Sequence, residues 1–420
     1  MNAKHSDQFE NSTLNPSSTM SLLVMPPEAE SMIEMLRTFG VEDVGSADWH
    51  RQRESLERLN LQAHHNVQSK SDEFVKSYLI SLDKVTTIVH ELLVMEVWRE
   101  KVLPKLDKSC FESSIAHTNI YLALYHEAIL VNLLESVLFY RETCEAMSEI
   151  SLLEIVDYCL RRIQYLNSKT ARDDAEYKDK DVKTLMSMSA RDDLDERHAE
   201  IRLSMSFCSL SILRYLTEYM NELDLCVMAR LLDTHDVIVQ LVPLMEEKPW
   251  IRRRMFKGKY ITEIHEKGSW REQDAADRQK VTSLDAQIWL SLNNLIVDHR
   301  ARSKYEYDDF RKNTVIRLKR FFNEILFDQL PLLKDLQRVI DEIILMATPS
   351  AADIKQGRLI LETVPEMRTA LLKSQNWNTV ASAQSKQQFG SGEEAERSTR
   401  ERMKTMMESF DFMAALEQCQ

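Results

Sequence analysis

The sequence predicts an all-α protein of stacked helices, and three observations carry the prediction: scarce turn residues, apolar positions recurring at helical spacing, and no alternating stretch of strand length between them. The 420 residues include 7 Gly and 9 Pro, well below the average usage of about 7% and 5%. Sheet proteins need far more residues that tolerate or fix unusual φ values at their tight turns. Few turns imply long helices. With 44% apolar residues the chain can bury a sizeable core, and its length allows two or three domains.

The N-terminal 21 residues are polar, rich in Asn, Ser and Thr, and lack a cationic stretch leading into an apolar one. They read as a disordered tail rather than a signal peptide. The helical body is expected over residues 22–375. From Asp83 to Lys101, Val85, Ile88, Val89, Leu92, Leu93 and Val97 follow three-then-four spacing, and Pro104 ends the run. The next segment, ending near Tyr140, carries Leu122, Tyr125, Ile129, Leu133, Leu134, Val137 and Leu138 on a wider stripe, as a helix touched by neighbours on two sides requires. Residues Tyr121–Tyr140 have the length of a membrane span, but His126, Glu127, Asn132 and Glu135 fall inside it. Each is costly in hydrocarbon, so a buried core helix is expected. Ser151, with Glu154 three residues on, is a candidate capping box for LLEIVDYCLRRIQYL.

Between Ser168 and about Asp195 charge displaces the apolar pattern, which reads as a solvated loop or weak polar helix. The stripe resumes by Ile201 with Leu203, Phe207, Leu210, Leu213, Leu216 and Met220; a short helix near Leu225–Leu232 and another over Val237–Met245 come next. This grouping resembles an armadillo repeat, and many amphipathic helices joined by short connections suggest an armadillo-like α-solenoid. No strict repeat period is evident, and a compact irregular bundle is the alternative. Residues 249–273 break the rhythm and read as an ordered loop or small hairpin. Helices return in VTSLDAQIWLSLNNLIVDH, over Asp309–Leu326 and in LPLLKDLQRVIDEIILMA, and Pro349 and Pro365 punctuate the chain beyond them. Residues 376–420 read as a polar linker, hinged at Gly390-Ser391-Gly392, and a C-terminal helix.

The formal net charge of −13 repels phosphate backbones and anionic lipid surfaces, so nucleic acid is not an expected partner. Cys110, Cys144, Cys159, Cys208, Cys226 and Cys419 include no CxxC pair and read as small buried hydrophobes in a reducing cytosol. His90-Glu91 and His126-Glu127 have Val94 and Leu130 where zinc hydrolases place a second histidine, so a polar neighbour in the fold is expected for them rather than a metal. His64-His65 reads as surface. No GxxxxGK[ST], GxGxxG or GxSxG pattern occurs, which removes the usual routes to nucleotide binding and to a serine nucleophile. No catalytic activity is expected. One local feature opposes the global charge: Arg252, Arg253, Arg254, Lys257 and Lys259, flanked by Trp250 and Tyr260. Arginines among aromatics are common at protein interfaces, which makes the cluster a candidate docking site for an acidic partner segment; a solvated loop is the plainer alternative.

The segments HELLVMEVWREKVLP (His90–Pro104), YHEAILVNLLESVLFYRETCEA (Tyr125–Ala146), VDYCLRRIQYL (Val156–Leu166), LSILRYLTEYM (Leu210–Met220) and LDAQIWLSLNNLI (Leu284–Ile296) resemble the helical body of the zinc finger MYND domain-containing protein 10 family. The likeness runs from about Pro26 to near the C-terminus, with Trp98, Trp250, Trp270 and Trp289 in matching contexts. The resemblance implies a cytoplasmic dynein axonemal assembly factor, acting as adaptor or co-chaperone while dynein arms are folded and preassembled for motile cilia, at assembly foci or near the centrosome and ciliary base. The partners it implies are axonemal dynein intermediate or heavy chains, a leucine-rich-repeat dynein assembly factor, an immunophilin co-chaperone and a heat-shock chaperone. The family ends in a MYND finger that holds two zinc ions, and this sequence stops at Cys419-Gln420 where the finger would begin. A single thiolate cannot hold zinc, so no cofactor is expected in this chain. A generic armadillo-like scaffold in trafficking or small GTPase regulation is the rival reading.

Overall fold

Apolar stripes drive most of the chain into helices, each burying its stripe against the next. The computed structural model describes residues 23–418 other than 113, 178–179, 181–182, 184–186, 257, 267, 275–276, 347–362, 374–375 and 390–392. The expected tail, the glycine hinge, Pro349, Lys257 and Cys419 lie outside the described residues. The main helices are α1 (Pro26–Glu34), α2 (Ala47–Ser69), α3 (Phe74–Ser81), α4 (Val85–Lys101), α5 (Ser114–Leu138), α6 (Glu149–Leu166), α7 (Lys169–Ala175) and α8 (Ala190–Tyr219). They continue with α9 (Val237–Glu247), α10 (Ser283–Val297), α11 (Asp309–Ile316), α12 (Leu333–Leu345), α13 (Met367–Leu372), α14 (Trp377–Gln387) and α15 (Glu393–Gln418).

The helices pack in two layers. One layer stacks α2, α5, α8, α10 and α12 side by side; the other stacks α4, α6, α9 and α11. Across the layers α4 packs on α5, α6 on α8, α9 on α10 and α11 on α12. The chain thus passes through successive helical pairs with one helix in each layer. No pair covers its own apolar faces, so each depends on the next, as in an α-solenoid. The helical fold class expected from the sequence is the one found. The main hydrophobic core runs from Val24 to Phe389, with Trp49, Trp98, Trp250 and Trp289 fully buried along it.

Helix α5 occupies the centre, in contact with α2, α4, α8 and α15. Its stretch Ile115–Leu138 is long and apolar enough to cross a membrane, with a mean hydropathy of 1.3. Packing on four helices accounts for that apolarity.

Four local expectations are corrected. Helix α6 begins at Glu149, not after Ser151: Ser148 is the cap, its Oγ accepting from the Ser151 amide, while Glu154 instead accepts from the Arg368 amide at 3.1 Å. Ser148→Ala should therefore destabilise the protein by about 1 kcal/mol in chemical denaturation, whereas a larger loss from Ser151→Ala, with none at Ser148, would contradict the assignment. Helix α8 starts eleven residues before Ile201, because Ser189 and Asp192 form a capping box and the first turns hold themselves by the i,i+4 pairs Arg191–Asp195 and Arg197–Asp193. The stretch expected as one helix over Asp309–Leu326 is broken by a 3₁₀ turn, Arg317–Phe321, and restarts at Glu324 under an Asn323 cap.

The fourth correction concerns the polar linker expected ahead of the C-terminal helix: Trp377–Gln387 is a packed helix, and the C-terminal helix follows as Glu393–Gln418. Helix α14 adds Ala381 to the core, and Phe389 follows just beyond it. Trp98 Nε1 donates to Gln384 Oε1 at 2.8 Å, and Gln384 Nε2 donates to the Val41 carbonyl at 2.8 Å. Gly45 lies in the left-handed region at φ 90°, and a Cβ there would stand 3.1 Å from the Phe389 ring, so both backbone and space call for glycine. Helix α13 packs on α4 and α6, and α15 on α2 and α5. The C-terminal helices thus return across the N-terminal half.

Candidate protein-binding groove

Residues 249–273, expected as a loop or hairpin, form a three-stranded antiparallel sheet of β1 (Ile251–Phe256), β2 (Lys259–Glu266) and β3 (Ser269–Glu272). The sheet separates the candidate docking residues. Trp250 is fully buried in the core. Arg252 and Arg254 both pair with Glu263, at 2.8 and 2.6 Å, on the face where their guanidiniums also cover the Tyr177 ring and Arg252 stacks on Trp270 at 4.2 Å. Arg253, Lys259 and Tyr260 are exposed, and Tyr260 at 75% has Met255 as its cross-strand partner. The cluster thus divides into a structural set (Trp250, Arg252, Arg254) and a surface set (Arg253, Lys259, Tyr260). If the surface set docks an acidic segment, Arg253→Glu with Lys259→Glu should abolish capture of that partner at an unchanged melting temperature; undiminished capture would dismiss the site.

A larger feature lies beside the sheet. A groove of about 860 Å³ runs over the α2–α5–α8–α10 layer, bounded at one end by α15 and at the other by β2 and β3. Helical spacing supplies its floor: Tyr121, Tyr125, Ile129, Asn132 and Glu135 follow one stripe of α5, while Ile201, Met205, Cys208 and Ser211 follow one stripe of α8. Leu61 and His64 of α2 and Phe410 and Met413 of α15 complete the near wall. Phe410 meets Tyr125 edge to face, with centroids 4.8 Å apart.

Acidic groups dominate the groove. Glu57, Glu135, Glu200 and Glu266 line it against Arg197 and Arg271. Arg197 is committed to Asp193 at 2.8 Å, and Glu57 to Arg53 at 3.0 Å. Burial raises the Glu135 carboxyl above its usual value, although hydrogen bonds from Cys208 and Ser211 oppose the shift. Burial likewise raises Glu200. Burial pushes His64 and His265 down to about 4, so both imidazoles are neutral near pH 7. His64 is half-buried at the groove wall rather than fully exposed, and its Nε2 lies 2.9 Å from Ser136 Oγ.

Three carboxylates on the apolar helices were invisible as a set in the sequence. Glu91 accepts from Trp49 Nε1 at 2.6 Å and lies 3.4 Å from His126 Nε2, so the two His-Glu dipeptides meet through Glu91 and His126. Glu127 takes Arg99 in two bonds of 2.7 and 3.2 Å, and the Tyr158 hydroxyl at 3.0 Å. Glu96 faces Arg161, Arg162 and Arg368. A charged residue inside an apolar stripe was the one available signal. Among the described residues no group of three His, Cys, Asp or Glu side chains is arranged to hold a metal ion. Cys110, Cys144 and Cys159 are buried as expected, while Cys208 and Cys226 are half-buried.

Sequence comparison places this architecture. The zinc finger MYND domain-containing protein 10 homolog of Drosophila melanogaster is 29% identical over 352 residues, covering 83% of this chain and 74% of that protein. The chain is thus similar to a zinc finger MYND domain-containing protein 10 homolog over most of its length. The match spans far more of the chain than any short motif. No family profile matches the chain, and no solved structure matches it.

Proposed function

We propose that this chain is a cytoplasmic adaptor, without catalytic activity, for the folding and preassembly of axonemal dynein arms. The observation that carries the reading is the open groove over four stacked helices, which offers a polypeptide a long contact face. Affinity at such faces comes from a few buried anchors within a charged rim. The dynein component of the reading draws on the likeness to the Drosophila protein and to its family. Its partners are then dynein intermediate or heavy chains together with a leucine-rich-repeat assembly factor, an immunophilin co-chaperone and a heat-shock chaperone.

Affinity purification from multiciliated cells tests this. Recovery of axonemal dynein chains with chaperones is the expected result. Recovery of trafficking proteins or small GTPases in their place would replace it with a general scaffold.

A further inference from the structure

We propose that the groove receives an amphipathic helix whose polar face carries a lysine or arginine directed at Glu135 and Glu200. The inference rests on the adaptor reading and names the partner class for its groove.

Charge complementarity selects the occupant. No ion pair joins Glu135 or Glu200 to any cation among the described residues, and the two guanidiniums near Glu200, Arg197 and Arg252, are held by Asp193 and Glu263. Glu135 receives only the neutral donors Cys208 and Ser211, so a partly enclosed carboxylate faces the groove without a counter-ion. An entering ammonium or guanidinium supplies one, and the helix that carries it displaces water from the groove, which strengthens the interaction. An acidic segment would add like charge at the same place and is selected against.

The form of the occupant is set by the walls. Ile129, Met205, Leu61 and Met413 give the groove apolar ground beside those carboxylates, and methionines adapt to varied side chains. Helix α15 shows how a helix sits on this layer: it packs on α2 and α5 and anchors Phe410 edge to face on Tyr125. A second helix laid beside it, apolar residues down and a cation toward α8, repeats that contact in the helix-in-groove manner.

The test uses the full chain and a fluorescein-labelled synthetic helix of leucine and lysine in amphipathic order, with two controls: a scramble of the same composition, and the same helix with glutamate in place of lysine. Anisotropy should show binding of the first alone. Glu135→Gln and Glu200→Gln together should weaken it at least about tenfold at an unchanged melting temperature. Glu200 is exposed, so Glu200→Gln alone preserves the fold and should still weaken binding. Equal binding of the scramble, or undiminished binding by the double variant, overturns the proposal. Dynein purification with the double variant separates the two readings. Wild-type chain that recovers dynein while the variant recovers as much removes the groove from the mechanism and leaves the assembly role standing; wild-type chain that recovers none removes the assembly role.

Discussion

Replacing Glu96 by alanine should lower the unfolding free energy by about 3–5 kcal/mol, the loss expected when one partner of a buried ionic cluster is removed. Glu96 is fully buried on α4, and its carboxylate meets Arg161 at 2.6 Å, Arg162 at 3.4 Å and Arg368 at 3.0 Å. The variant leaves those guanidiniums crowded together with one neutralising charge fewer. Burial by itself would raise the Glu96 pKa, but the bonds from Arg161 and the charges of Arg162 and Arg368 outweigh it and bring it down to about 2. A carboxyl depressed in the folded state stabilises above its unfolded value and loses that contribution as pH falls through its folded one. The stabilisation is therefore full above about pH 4.5 and drains away toward pH 2. Chemical denaturation of both proteins at pH 7 and pH 3 checks this: the gap between them should narrow at the lower pH, and a gap that is constant or widens would refute the assignment. Arg368→Ala should cost less, because that side chain is 20% exposed.

Trp98→Ala should cost a similar amount, about 3–5 kcal/mol as for large aromatics removed from cores, with a second effect that Glu96→Ala lacks. Trp98 is fully buried, tilts against Phe389 with centroids 5.8 Å apart, and donates to Gln384. Its loss takes away the main anchor of α14 on the N-terminal half. Hydrogen exchange over residues 377–418 should accelerate in the variant well beyond the rest of the chain. Uniform acceleration across the molecule would show that the C-terminal helices are held elsewhere. Trp98→Phe keeps most of the apolar contact and isolates the hydrogen bond, with about 1–3 kcal/mol expected for the Gln384 oxygen left unpaired.

Local periodicity made the helices legible because every helix of the stack must present an apolar stripe, and a stripe is a property of neighbouring residues. Val85 to Val97 and Leu203 to Met220 announced α4 and α8 in that way. The polar beginning of α8 was missed, since capping by Ser189 and Asp192 and exposed ion pairs leave no apolar trace. The sheet was read only as a loop or small hairpin because the inward positions of β1 are Arg252 and Arg254. Glu263 neutralises them, so the strand lacks the apolar alternation that marks most strands. The same pairing explains why a single basic cluster in the sequence became two separate sets in space.

By itself the sequence determined the helical class, the core stripes, the absence of the common nucleotide-binding patterns and the family likeness, all of which reside in local spacing or in residue order. Only the tertiary structure decided that the C-terminal helices fold back onto the first ones, that Glu96 gathers arginines from two distant segments, and that α2, α5, α8 and α10 share one acidic groove. Those outcomes depend on which stripe meets which. Many pairings of amphipathic helices bury comparable apolar area, and the choice among them is made by shape and by buried polar partners hundreds of residues apart, such as Trp98 and Gln384.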